Sequence, residues 1–379
     1  SGDGNVLFVG APAEDSSATT INGSQANGAG ASGAVYVYRF SAGAWSQATY
    51  IKPSNTGVGD YFGWNVRASQ DGRTLAVSAL YEDSSSAATP SNNGATDSGA
   101  VYVFSYDGAA WTQQAYLKAS NIEASDLFAL DMALSGDGDT LVVTSTAEAS
   151  NATGINGLGN NNLAPGSGAA YVYRRAAGVW SFDAYIKASN TSTNDLFGDD
   201  VALSFDGTTL AVGARDEDSS ATGVGGDQND NAASESGAVY LFRRTSGAWS
   251  QTAYLKSSNS AAGHRFGAAV ALSDDGTRLV VASWNEGAST RNIGLSATPT
   301  GSAESGAVYL FEFAEGVWTE NLYFKASNAD ANDQLASDLA MAGDGSTFVG
   351  TSQGEDGNGT SPLDNSLAGS GATYVFRHR

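Results

Sequence analysis

A short apolar signature at residues 33–38, Gly-Ala-Val-Tyr-Val-Tyr, returns along this chain at 99–104, 168–173, 237–242, 306–311 and 371–376. The spacings are 66, 69, 69, 69 and 65 residues. Two further markers keep step with it. One is a Trp followed by Tyr-x-Lys, from Trp45 to Lys52 and again at Trp111, Trp180, Trp249 and Trp318. The other is an Asp-Gly pair ahead of an apolar run, at Asp3, Asp71, Asp137, Asp206, Asp275 and Asp344. A period of this size means that one supersecondary unit is copied and packed against its neighbours, so the content of one unit decides the fold.

One unit reads as four strands. In the copy that opens at Asp195, residues 197–204 form a first strand and Asp206-Gly207 turns the chain. Residues 209–214 form a second strand, 216–236 a long polar loop, 238–243 a third strand and 249–256 a fourth, after a turn at Ser246-Gly247. No window carries a 3.6-residue apolar period long enough for a helix. Four antiparallel strands repeated in this way define an all-β protein, a β-propeller of four-stranded blades. The repeats run approximately over 1–59, 60–125, 126–194, 195–263, 264–332 and 333–379, within a single domain covering 1–379. The first and last are incomplete, which gives 22 strands. Six blades are expected, with the remaining strands lying outside this sequence or supplied by a neighbouring molecule; a longer parent allows seven.

Composition narrows the function. Among 379 residues there are 47 Gly, 6 Pro and no Cys, so neither disulfides nor thiolate metal sites hold the fold. The formal charge of −22 argues against nucleic acid, whose phosphates need a basic surface. No apolar run reaches the length of a membrane span.

The pair Phe62-Gly63, repeated as Phe197-Gly198 and Phe266-Gly267, together with Val9-Gly10-Ala11-Pro12 and the weaker Val212-Gly213-Ala214, resembles the FG-GAP repeat. That repeat builds the propeller of integrin α subunits and of many bacterial surface proteins. The resemblance implies an extracellular or cell-surface, integrin-like module that binds through one face. It also implies calcium, since integrin-type repeats often carry Asp-x-Asp-x-Asp-Gly in the turn between strands one and two. Here those turns hold one or two carboxylates, short of the six to eight oxygens that calcium takes.

The loops between strands two and three are long and divergent, at 13–32, 82–98, 147–167, 216–236, 285–305 and 354–370, and they share one end of every blade. Loops on a rigid scaffold are where binding residues concentrate, so this is the candidate binding face. Its most acidic loop offers Asp216, Glu217, Asp218, Asp227 and Asp230 as candidate binding residues and as weak calcium donors. A second candidate group is Asn65, Asp131, Asp200 and Asp338, expected to line a central channel, with Asp199 beside them in one blade.

All five lysines, Lys52, Lys118, Lys187, Lys256 and Lys325, stand at one repeat position. Glu14, Glu82, Glu148, Glu217, Glu286 and Glu355 recur after strand two. Repetition in every blade marks structure, and the expectation is Lys–Glu or Lys–carbonyl bonds tying the outer strand to the next blade. Asp60, Asp126, Asp195 and Asp333, with His264 in the same slot, are expected to accept backbone N–H bonds in the crossover loop. Only His264 and His378 are present, and no catalytic constellation stands out. The sequence therefore reads as a non-enzymatic adhesion module for a protein or glycan. The alternative is a structural subunit of an extracellular assembly, pairing with copies of itself through the incomplete end blades.

Overall fold

Every strand in the computed structural model, which describes residues 1–288, 294, 304–357 and 366–378, belongs to one of six antiparallel sheets. The sheets are β1–β3 (from Val6–Ala11 to Ala44–Ile51), β4–β7 (Phe62–Ala68 to Trp111–Leu117) and β8–β11 (Met132–Leu134 to Val179–Ile186). They continue as β12–β15 (Phe197–Leu203 to Ala248–Leu255), β16–β19 (Phe266–Leu272 to Val317–Phe324) and β20–β22 (Leu335–Met341 to Ala372–Arg377). Each is a meander whose strands lie side by side in chain order, the blade of a β-propeller, and the six sheets are its six blades. The described residues hold 22 strands and no helix.

The chain divides into two units of three sheets each. One is Ser1–Ala152 with Asn156–Ile186, the other Thr153–Ile155 with Lys187–Arg379. Within each unit the cores lie between successive sheets. In the first, Val35, Val37 and Ile51 pack against Phe62, Tyr102 and Phe104. Val101 and Val103, on the opposite face of β6 (Ala100–Tyr106), pack against Phe128, Met132 and Tyr171. The second unit repeats the pattern, with Val239 and Leu241 against Phe266 and Tyr309, then Val308 and Leu310 against Phe348 and Phe376. A strand with a sheet on each face has no polar side, so Val-Tyr-Leu-Phe is apolar at consecutive positions rather than alternate ones.

The glycines explain the spacing of the signature. Gly63 takes φ 92°, and a Cβ on Gly10 would lie 2.0 Å from its carbonyl oxygen. In the second unit Gly213 meets Gly267 in the same way, again at 2.0 Å. The Gly of one blade's Val-Gly-Ala thus lets its second strand close on the Phe-Gly of the next. In the Asp-Gly turns only the glycine is left-handed, Gly207 at φ 66° for example. The Asp caps the turn instead: Asp206 Oδ1 accepts from Ser204 Oγ at 2.7 Å and Thr208 N at 3.0 Å.

Candidate binding face and its anchors

Five of the six long loops leave strand two through a buried glutamate, and Glu14 of the first is half-buried. Lys118 Nζ lies 2.9 Å from Glu82, Lys256 2.8 Å from Glu217 and Lys325 2.8 Å from Glu286, with both side chains almost wholly buried. Lys52 reaches Glu14 at 3.2 Å. The same amines donate to the serine that closes the loop, Lys52 to Ser32, Lys118 to Ser98 and Lys256 to Ser236, at 2.5–2.8 Å. Lys187 and Glu148 are buried like their counterparts. Burial pulls the Lys118, Lys256 and Lys325 amines below the ordinary lysine range, and the adjacent carboxylates pull back.

The expected direction of the tie needs correcting. These lysines and glutamates belong to one blade, so the pair pins a loop's base to its own outer strand. The link to the next blade is made by the asparagine three residues on. Asn55 Nδ2 donates to Glu82 at 3.2 Å and Asn190 Nδ2 to Glu217 at 2.9 Å. Their Oδ1 atoms accept from Tyr102 and Tyr240, on the third strand of that next blade. Asn121, Asn259 and Asn328 repeat the arrangement with Glu148, Glu286 and Glu355. Each of these asparagines closes a Lys-x-Ser-Asn motif that recurs with the lysines, and recurrence alone does not say which of its residues makes the link.

The five candidate residues of loop 216–236 do not converge. Glu217 lies at the buried base and also accepts from Tyr254 Oη at 2.9 Å, which corrects its place among the binding residues. Asp218 caps Glu235 N at 2.8 Å, Asp227 caps Asn229 N at 3.0 Å and Asp230 holds Ser220 N at 2.7 Å. Asp216 faces Arg265 at 3.4 Å, and burial raises its carboxyl above the usual range. Four of the five thus fold or anchor the loop, and Asp216 lies against two arginines. Among the described residues no three His, Asp or Glu side chains gather as metal ligands, and the turn carboxylates are engaged by Ser, Thr and backbone donors. These turns do not fit the calcium that the resemblance implied. Residues 289–293 and 295–303 of loop 285–305, and 358–365 of loop 354–370, lie outside the described residues.

The channel candidates are engaged as well. In the first unit Asn65 Nδ2 donates to Asp131 at 2.7 Å and Arg67 reaches the same carboxylate at 2.9 Å, neutralising it. In the second, Asp200 accepts from Val270 N at 2.6 Å and so bridges β12 to β16. Asp199 pairs with Arg215 at 2.7 Å, and Asp338 caps Leu339 N. The crossover aspartates accept backbone N–H bonds as expected: Asp60 from Gly57, Asp195 from Ser192 and Asp333 from Asp330. Burial, reinforced by Glu82 and Glu217 nearby, pushes Asp60 and Asp195 up to about 7. His264 occupies the same slot, its carbonyl accepting from Ser283 Oγ as that of Asp126 does from Ser145 Oγ.

One cleft opens on the long-loop side of the first unit. Its 520 Å³ are lined by Ser120, Asn121, 156–160, Phe182, Asp183 and Tyr185. Phe182 is 44% exposed and Leu158 80%. Neither was singled out from the sequence, although Phe182 stands where the other copies carry Gln or Glu.

The repeating four-stranded sheets and interlocked glycines define a protein of the β-propeller class. The FG-GAP repeat family model matches residues 45–104, 180–242 and 249–311, just under half of the chain. The chain carries FG-GAP repeats over these three segments, as the sequence resemblance implied. Each matched segment begins at an outer-strand Trp and ends on the third strand of the following blade, so it spans the asparagine link between blades. No curated protein matches the chain. Among solved structures, a putative 6-phosphogluconolactonase from Bacteroides uniformis is similar over 93% of this chain and 76% of its own, with TM-score 0.51 and 11% identity. The periplasmic gluconolactonase of Pseudomonas aeruginosa gives the same coverages and TM-score at 17% identity. At these identities the likeness is one of fold.

Proposed function

We propose that this chain is an extracellular, non-enzymatic binding module that recognises a protein or glycan through its strand 2–3 loops. The observation that carries the reading is the asymmetry of each loop. Its base is fixed by a buried Lys–Glu–Ser–Asn cluster, and its crest, as at residues 158–163 and 225–232, is largely exposed. A rigid base with a variable rim is the usual build of a recognition surface. The FG-GAP match supports the same class. The test replaces crest residues 225–232 and 157–163 with short Gly-Ser links and measures adhesion of purified protein to cells and matrix. Retention of full adhesion overturns the reading.

A lactonase reading draws only on the two fold neighbours, and fold alone does not carry an activity. Assays with gluconolactone and 6-phosphogluconolactone are expected to show no turnover above the uncatalysed rate; turnover would overturn the non-enzymatic assignment. The assembly reading keeps one observation in its favour. Leu7 and Val9 on β1 are 47% and 40% exposed, and Val375 on β22 is 61% exposed. A strand or sheet added by further chain or by a second copy would cover them.

A further inference from the structure

We infer that the cleft between the second and third sheets of the first unit is a binding site for a neutral sugar ring, with Phe182 as its platform. The inference rests on the binding-module reading and names the ligand class for one part of that face.

The cleft exists because two closures used elsewhere in the repeat are missing here. Phe182 on β11 pairs with Tyr173 on β10 (Ala169–Ala176), in the register that sets Gln113 opposite Phe104 and Glu320 opposite Phe311. In those other blades the polar side chain reaches back to the serine of the preceding Lys-x-Ser-Asn motif. Gln113 Oε1 accepts from Ser54 N at 3.1 Å, and Glu320 accepts from Ser258 N at 2.9 Å. A phenylalanine cannot accept this bond from Ser120. The second closure is made from the long loop. Asn190 Nδ2 donates to the Gln228 carbonyl, and the Gln228 side chain turns onto Ser189. The residue in that role in the third blade is Gly159, whose carbonyl accepts from Asn121 at 2.7 Å. A Cβ on Gly159 would sit 2.8 Å from the Tyr185 ring, so a larger residue there would have to displace that ring. With an aromatic ring for one closing side chain and a bare backbone for the other, the space stays open.

The lining suits one ligand chemistry. A half-exposed aromatic ring in the lining is the kind of group that stacks on the C–H side of a pyranose. The lining also holds Ser120 and Asn160, residue types that exchange hydrogen bonds with sugar hydroxyls. The volume falls in the range of small-ligand sites, ~300–1,000 Å³, whereas a protein partner covers roughly 800 Å² a side. The net charge of −22 disfavours acidic polysaccharides.

The test applies the whole chain to an array of neutral and acidic glycans. Any hit is then titrated as its methyl glycoside by NMR, for wild type, Phe182→Gln and Asn160→Ala. Phe182→Gln installs the residue three other blades carry, and its melting temperature checks that it folds; Asn160→Ala changes an exposed side chain and covers the case in which it does not. Binding of a neutral glycan that weakens by ~10-fold or more in Phe182→Gln, from loss of the apolar platform, is the expected result. The same glycan must also shift resonances of 156–160. Equal binding by the variants would overturn this site while leaving the module reading standing. Preference for acidic glycans, or no glycan bound in the array, also overturns it; adhesion through the loops is read separately by the crest replacements.

Discussion

Lys118 and Glu82 show what one repeated position does. A buried amine and a buried carboxylate are each costly alone, and they are tolerated because each satisfies the other and the loop-closing serine. Lys118→Ala leaves Glu82 buried without its countercharge, beside Asn55 and Ser84 N, and it should cost about 3–5 kcal/mol of unfolding free energy in a denaturant titration. A loss below 1 kcal/mol would mean that the pair is not what pins the loop. Asp60 and Asp195 set a second expectation. Their folded-state values are raised to about 7, so protonation favours the folded state. The stability they contribute is full below the ordinary aspartate value and is lost as pH rises through about 7. At the acid end, hydrogen bonds from Ser220 and Ser346 hold Asp230 and Asp344 below the usual carboxylate range, and what they add is lost on further acidification. Melting temperature should therefore peak near pH 4, fall between about pH 4 and 7, and level off above that. The double variant Asp60→Asn/Asp195→Asn should flatten the fall, and an unchanged slope would assign it to other groups.

Among the elements, the strand and its neighbouring sheet are the unit of stability. The Gly213–Gly267 approach leaves no room for a methyl group, and the clashing atom is backbone. Gly213→Ala should destabilise by about 2–3 kcal/mol through overpacking between β13 (Thr209–Ala214) and β16, measured by thermal or chemical melting. A neutral substitution would show that the two sheets can part at no cost. At this scale the sequence was readable in outline. Strand order, the 22-strand count and the turn positions followed from the repeat, because a Trp, an Asp-Gly pair and a Gly-Ala-Val-Tyr run each mark one place in the blade. The bulges between Val103 and Phe104 and between Leu241 and Phe242 did not. A bulge changes pairing without changing the apolar pattern, so nothing in the residues announces it.

For the whole molecule the dominant quantity is charge. Forty acidic residues against 18 Lys and Arg leave −22, and self-repulsion of this size opposes the compact state. Raising sodium chloride from ~10 mM to ~500 mM shortens the screening length from ~30 Å to below 5 Å and should raise the melting temperature. A fall would show that surface ion pairs such as Arg175–Asp139 outweigh the repulsion.

The sequence by itself determined the all-β repeat, the FG-GAP relationship, the long-loop face and the structural part of the repeated Lys and Glu. All of these are written once per copy and so announce themselves by recurrence. Tertiary structure decided which recurring groups meet. Asn55 proved to be the link between blades, Glu217 went to a buried base, and the acidic loop residues turned out to be hydrogen-bonding its own backbone. The cleft at Phe182 and Gly159 was decided at the same level. A site built from two departures from a repeat has no pattern of its own, and it exists only because folding brings residues 120, 159 and 182 to the same place.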